Sequence, residues 1–371
     1  MGPITVLLSV VQLAGCSPET GACPRSSSAA TTPPPARPGL CTPTYGSFGV
    51  GNWPSACFKA YDPAAWINRP LPANPQVDPN SAGIVAQMNS HGAPEDKMAG
   101  GVNDYDHPIY WSNASDPVFT LAGCGYSGAL TGAKIRAPKR MLPGGGSDGH
   151  VVVMDQSTNT EWDFWQATID DHAQTIGGHA CARLPIFGDA RVNGAVINGP
   201  DGDGANAANT GLYSGQIRAV ELVAGKIEHA IAVNVKCTNG SYVYPATGKA
   251  LICGGANEPA DGQFFQLTYS DAEIDALPVP AWKKVVLHVM HQYGFYADDT
   301  YGSDPHNLAL HFESNKMYEA YAYEDPFVTY AKQHLGEDID LWHGAYYFKL
   351  APGVDWSRIQ VIKPCVIQRT C

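Results

Sequence analysis

Apolar and polar positions alternate most strictly between residues 147 and 166, where the pattern predicts two strands joined by the polar turn Gln156 to Asn159. Val151, Val153 and Asp155 fall on one face of the first strand, with His150, Val152 and Met154 on the other; Glu161, Asp163 and Trp165 share one face of the second. Period-two or short apolar runs also predict strands around Ile109-Tyr110-Trp111, Val118 to Leu121, 226–235, 263–269, 295–299, 308–312, 346–349 and 359–362, with a second hairpin over 242–253.

Helical signals are fewer. Ser270-x-x-Glu273 is a capping box opening a short helix, residues 280–293 carry helical periodicity up to Gly294, and 326–335 run to Gly336. Residues 80–90 could form a short helix, and 216–222 read as one helical turn. Many strands with about three short helices predict a mostly β fold: a two-sheet antiparallel sandwich of jelly-roll type.

Composition agrees with a turn-rich β protein. Of 371 residues, 44% are hydrophobic and 16% charged, with 39 Gly and 29 Pro, so one large core is within reach. A net charge of −12 with no Lys/Arg cluster excludes nucleic acid and anionic membrane surfaces as partners. Residues 4–14 are apolar and run into Leu13-Ala14-Gly15-Cys16, so residues 1–16 read as an export signal of lipoprotein type with Cys16 as the lipidated residue. Residues 17–40, rich in Ser and Pro, read as a flexible tether, and 41–371 as a single β-sandwich domain. Eight of the ten cysteines lie beyond the tether. An even count in an exported chain predicts disulfides; spacing favours Cys237 with Cys253, and Cys41–Cys57 and Cys365–Cys371 are further candidates.

Candidate chemistry concentrates in the central hairpin. Glu161 and Asp163, two apart on a strand, lie about 7 Å apart at the backbone, close enough for one carboxyl to raise the pKa of the other, as acid catalysis on a sugar requires. The stretch resembles the E-x-D-x-x-E signature of laminarinase-type glycoside hydrolases, which implies a concanavalin-like jelly roll with Glu161 as nucleophile and Asp163 assisting. Gln166 stands where that family has its acid, so Asp155 or Glu221 would have to supply the proton. Trp165 is placed to stack on a sugar ring.

A second constellation, His150, His179, Asn206, Gln216, Arg218, His229 and Tyr347, has the residue types of a polysaccharide lyase, in which Arg or Asn neutralises a uronate and His or Tyr takes its C5 proton. Tyr347-Phe348-Lys349 and Gln216-Ile-Arg218 are similar to the Y-F-K-A-G and Q-I-H strands of jelly-roll alginate lyases, with Leu350-Ala351 after the lysine and Arg218 in place of the histidine. Residues 105–365 also resemble a group of secreted bacterial proteins of unassigned activity, with Asp148, Asp163 and His229 as shared positions.

Asp201 and Asp203 sit in a loop rich in oxygen ligands that departs from the EF-hand pattern, so a structural calcium is the one cofactor considered. His288 and His291 lack the H-E-x-x-H spacing and read as structural. No G-x-S-x-G elbow or dinucleotide fingerprint is present. The expectation is a secreted or cell-surface protein acting on polysaccharide: first a hydrolase with Glu161, Asp163, His150 and His229 catalytic and Trp165, Arg218, Gln216, Asn206, His179 and Tyr347 holding substrate; next a uronate lyase; next a non-catalytic glycan-binding lipoprotein.

Overall fold

The computed structural model of the chain describes residues 43–94, 97–99, 105–192, 201–250, 253–300 and 307–371. The expected export signal with Cys16, the expected tether and Cys41 lie outside the described residues. A first helix α1 (Ser81–Ser90) is followed by β1 (Lys97–Ala99), β2 (Ile109–Ser112), β3 (Val118–Cys124), β4 (Lys134–Arg136), β5 (Val151–Asp155), β6 (Thr160–Trp165), β7 (Thr168–Asp170), β8 (Thr175–Gly178) and β9 (Ala180–Pro185). The second half adds α2 (Ala219–Ala224), β10 (Ile231–Val235), β11 (Phe264–Leu267), α3 (Asp271–Ala276), α4 (Ala281–Gln292), β12 (Phe295–Thr300) and β13 (Leu308–Leu310). It ends with α5 (Lys316–Glu319), α6 (Pro326–Gln333), β14 (Ile339–Trp342), β15 (Ala345–Phe348), β16 (Ile359–Ile362) and α7 (Pro364–Gln368).

The central hairpin forms as its alternation dictates: β5 pairs antiparallel with β6 from Val151↔Phe164 to Asp155↔Thr160. The turn is fixed by Asp155, whose Oδ1 accepts from the Ser157 amide (3.0 Å) and hydroxyl (2.6 Å), and by Asn159 in the left-handed region (φ 54°). The capping box at α3 also forms, the Glu273 amide donating to Ser270 Oγ at 3.3 Å.

The fold is mostly sheet, but the described strands build four sheets rather than two: β2-β5-β6-β9, β4-β3-β8-β7, β13-β10-β12-β11-β16 and β1-β15-β14. Three pairings, β2 with β5, β3 with β8 and β10 with β12, are parallel, which corrects the antiparallel sandwich expected from sequence. The physical reason is that each parallel pair joins strands separated by a long crossover, and neither periodicity nor turn chemistry marks such a partner. The described residues also hold seven α-helices rather than three, the additional ones including single turns. The expected 242–253 hairpin is not seen among the described residues of that range, which exclude 251–252; they form isolated bridges instead, Thr238↔Cys253 and Tyr242↔Asp261.

The five-stranded sheet is buried on both faces. Ile231, Val233, Phe265 and Phe295 pack with Trp282, Val286, Leu287 and Met290 of α4 in one core. Their neighbours Ala230, Ala232, Phe264 and Tyr296 join a second core with Val152, Met154, Trp162 and Phe164 of the central hairpin. This double burial explains why these strands read as apolar runs.

Disulfides join Cys237 to Cys253, as spacing favoured, Cys365 to Cys371, one of the further candidates, and Cys124 to Cys181, a pair not anticipated; Cys57 is also disulfide-bonded. These bridges point to an oxidising compartment. No helix among the described residues is long and apolar enough to cross a membrane. Cys124–Cys181 ties the end of β3 to β9 across 57 residues. Replacing both cysteines with serine should lower the unfolding free energy by roughly 4 kcal/mol on the loop-entropy scale, measured by guanidinium denaturation; a loss under about 1 kcal/mol would show that the two sheets hold together without it.

Candidate functional site

The polar candidates meet where the hairpin face carrying His150, Asp163 and Glu161 looks across at the five-stranded sheet. The segment 205–218 fills the gap between them. Glu161 and Asp163 are fully buried, and their acceptor oxygens go to this segment: Asp163 Oδ2 takes the Leu212 amide (3.0 Å), and Glu161 Oε1 the Tyr213 amide (3.0 Å). Tyr61 OH donates to Glu161 Oε2 at 2.6 Å. Gly211 fits here because it has no side chain; a Cβ would lie 2.6 Å from Tyr61 OH and 2.8 Å from Glu161 Oε1.

Burial raises both carboxyls, Glu161 to about 7 and Asp163 well above the carboxylate range, with the charge of Glu161 adding to the effect on Asp163. Asp163 Oδ1 has no hydrogen-bond partner in the protein, and the Asp163 and Glu161 side chains interact with one another. The pair thus holds a proton and binds two backbone amides.

On the other side of Leu212 lies a cluster of three histidines. The His107 Nδ1 and the Leu212 carbonyl are 2.9 Å apart, and His107 contacts His150 (ring centroids 4.5 Å) and stacks on His311 (4.9 Å). His311 Nε2 lies 3.0 Å from Asn234 Oδ1 and 3.3 Å from Asp298, and its Nδ1 lies 3.9 Å from Asp106. The pairing of β10 with β12 shifts register between Val233 and Asn234, leaving Asp298 as the extra residue of a bulge, a device that re-aims a side chain. Next to it, burial and then the charge of Asp298 raise Asp299 to about 7. His150 Nε2 meets the Ala205 carbonyl at 3.1 Å, and burial lowers its pKa.

A third cluster sits beyond Tyr213. Arg218 bridges to Glu221 (2.9 Å) and donates to the carbonyls of Ser55 and Phe58, while His229 Nε2 lies 3.2 Å from Glu221. Burial pushes Glu221 up, but Arg218 and then His229 override it and hold the carboxyl at about 2. Glu313 goes the other way: burial, against the pull of Arg218, lifts it to about 7. A cavity of about 20 Å³, room for about one water, is lined by Tyr61, Tyr213, Gln216, Arg218 and His229.

The remaining candidates divide by exposure. Trp165 and His179 are brought together at the open end of the same hairpin face, rings 5.2 Å apart, and Tyr126 joins them at 4.6 Å from His179. Tyr126 is 41% exposed, His179 is exposed and Trp165 is half-buried. Trp165 Nε1 donates to Asp148 Oδ1 at 3.2 Å. Asn206 and Gln216 are internal: Asn206 bonds Thr210, and Gln216 Nε2 donates to the Leu212 carbonyl at 2.8 Å. Tyr347 is not part of this site; it lies on β15, opposite Asp340 of β14 and 5.5 Å from Trp342. Asp155 serves the hairpin turn and the Arg136 amide.

Asp201, considered for calcium, pairs with Arg183 at 3.0 Å, and the Asp203 amide donates to Ser127. Among the described residues one trio, His91, Cys237 and Glu258, brings potential metal ligands within 4.8 Å of one another, but Cys237 is in its disulfide and offers no thiolate. Sequence reasoning missed Tyr61, His107, Asp106, Asp298, His311, Glu313 and Tyr126. None belongs to a spaced motif; they converge only through the sheet pairings, and the shared burial of Asp106 and His107 has no periodic signal. No protein family, curated protein or solved structure matches the chain.

The carboxyl pair has a pH signature. Unfolded, Glu161 and Asp163 ionise near pH 4 to 4.5; folded, they keep a proton to about 7 or beyond. Their stabilisation is therefore complete below pH 4 and is lost as pH rises through about 7. Asp163→Asn keeps an acceptor for Leu212 and a donor for Glu161, so its unfolding free energy should fall less than wild type's between pH 5 and 8; an equal or steeper fall would show that the pair does not hold the proton. Glu161→Ala, which leaves the Tyr213 amide without its acceptor, should cost about 2 to 4 kcal/mol.

Proposed function

We propose that the protein is an extracytoplasmic glycan-binding protein, exported and anchored through Cys16, that holds polysaccharide on the surface formed by Trp165, His179 and Tyr126. The observation that carries this reading is the exposed ring trio beside Asp148. Ring faces suit the C–H faces of sugars, and the carboxylate and imidazole beside them suit hydroxyls. The disulfides and the net charge of −12 support an exported protein that does not bind nucleic acid. Arg218 is buried, its charge already matched by Glu221 and its Nη1 and Nη2 donating to two carbonyls and that carboxylate, which speaks against its neutralising a uronate as a lyase would require.

One observation favours a second reading, hydrolysis within the glycan chain. Glu161 and Asp163 retain protons near neutrality on the same face of β6 as Trp165. That chemistry requires the 205–218 segment to lift, because both carboxyls are fully buried beneath it.

Titration with a panel of neutral and acidic polysaccharides, with new reducing ends followed in parallel, separates the two readings. Binding should be measurable with at least one polymer; Trp165→Ala and Tyr126→Ala should each weaken it about tenfold, the thermal midpoint staying unchanged in Tyr126→Ala and falling in Trp165→Ala, whose ring also packs against the core. Asp163→Asn should leave it intact. Undiminished binding in both ring variants would overturn the surface assignment, and reducing ends that vanish in Asp163→Asn would establish hydrolysis.

A further inference from the structure

A cleft lies away from the carboxyl pair and the exposed rings. It encloses about 590 Å³ between residues 66–76, Phe264 and the C-terminal helix α7, within the size range of small-molecule sites. Leu71, Phe264 and Val366 supply apolar wall, and Trp66 lines it with an indole N–H that has no hydrogen-bond partner in the protein. The charged side chains on the lining are Arg69 and Arg369, and no Asp or Glu is among the lining residues. In a chain with 35 acidic and 23 basic residues this is a local reversal of charge.

The Arg69 side chain is held in place, and so is the backbone that carries the exposed Arg369. The Arg69 guanidinium donates to the Ile367 carbonyl. Arg369 caps α7 in the left-handed conformation (φ 60°), and Cys365–Cys371 with the Thr370 amide on the Cys365 carbonyl (2.9 Å) closes the loop that presents it. Among the described residues neither makes a salt bridge. We propose that this cleft is a binding site for a small sugar bearing an oxyanion, a carboxylate or a sulfate, with the anion between Arg69 and Arg369 and the ring against Leu71, Phe264 and Val366.

Two guanidiniums facing one space match the geometry of such an anion and are weakly hydrated, so they give up water readily. Burial, and then the like charge of Arg369, lowers the Arg69 pKa, and an anion placed between the two relieves that repulsion. This site does not depend on the reading of the exposed rings.

Calorimetric titration of the full chain with glucuronate, glucose 6-sulfate and glucose tests it. At least one of the two anionic sugars should bind, identifying which oxyanion is preferred, while glucose does not. Affinity should fall with added salt and drop about tenfold or more in Arg369→Gln. Because residue 369 takes a left-handed conformation, Arg369→Asn, which tolerates it, should give the same loss with an unchanged thermal midpoint. Trp165→Ala should leave this binding as in wild type, separating the cleft from the ring surface. Failure of both anionic sugars to bind, equal binding of glucose, or wild-type affinity in both Arg369 variants would overturn the proposal.

Discussion

The two hydrogen bonds from the Leu212 and Tyr213 amides to Asp163 and Glu161 organise the interior of this protein. They fasten the segment 205–218 across the hairpin face, and the fastened backbone then serves its other neighbours. The Leu212 carbonyl meets His107 and Gln216, Tyr213 lies against Tyr61 on one side and Arg218 on the other, and Ser214 Oγ meets Tyr296 OH of the five-stranded sheet at 2.8 Å. One short irregular segment thereby ties the central hairpin to the five-stranded sheet through hydrogen bonds that add to the apolar contacts of the core they share. Losing either carboxyl would strand buried amides, which costs more than the bonds themselves contribute.

A polar seam of this kind is expensive to bury and is stabilised by internal compensation. Arg218 is matched by Glu221, His311 by Asp298 and Asn234, and the Glu161–Asp163 pair by a retained proton. The arrangement fixes one relative position of the hairpin and the five-stranded sheet, since a slip of either would leave several of these groups unpaired at once. The two surfaces proposed for binding lie at the edges of this frame: the ring trio at the open end of β6, and the cleft bounded by α7.

Much of the local structure was legible in the sequence. The 147–166 alternation specified β5, β6 and their turn, and it placed Glu161, Asp163 and Trp165 on one face, where the structure has them. Ser270 and Glu273 marked a helix start, and Gly294 and Gly336 lie just beyond the ends of α4 and α6. What alternation does not encode is whether a face is open or covered. Glu161 and Trp165 read alike as cleft residues, yet the first is sealed by a segment about 50 residues further along the chain while the second reaches solvent. The histidine cluster is illegible for the same reason: His107, His150 and His311 come from three distant stretches and meet through parallel and crossover pairings. Tyr126, in the turn after β3, acquires meaning only because Cys124–Cys181 and the chain following β8 bring His179 beside it.

Amide hydrogen exchange at Leu212 and Tyr213 is the most direct test of the pinned segment. Both lie outside regular secondary structure, where amides ordinarily exchange quickly, yet each donates to a fully buried carboxyl. The account predicts protection comparable to that of the β5 amides, with opening close to global unfolding. Exchange at the rate of an exposed loop would contradict it and would mean that the segment lifts readily from Glu161 and Asp163.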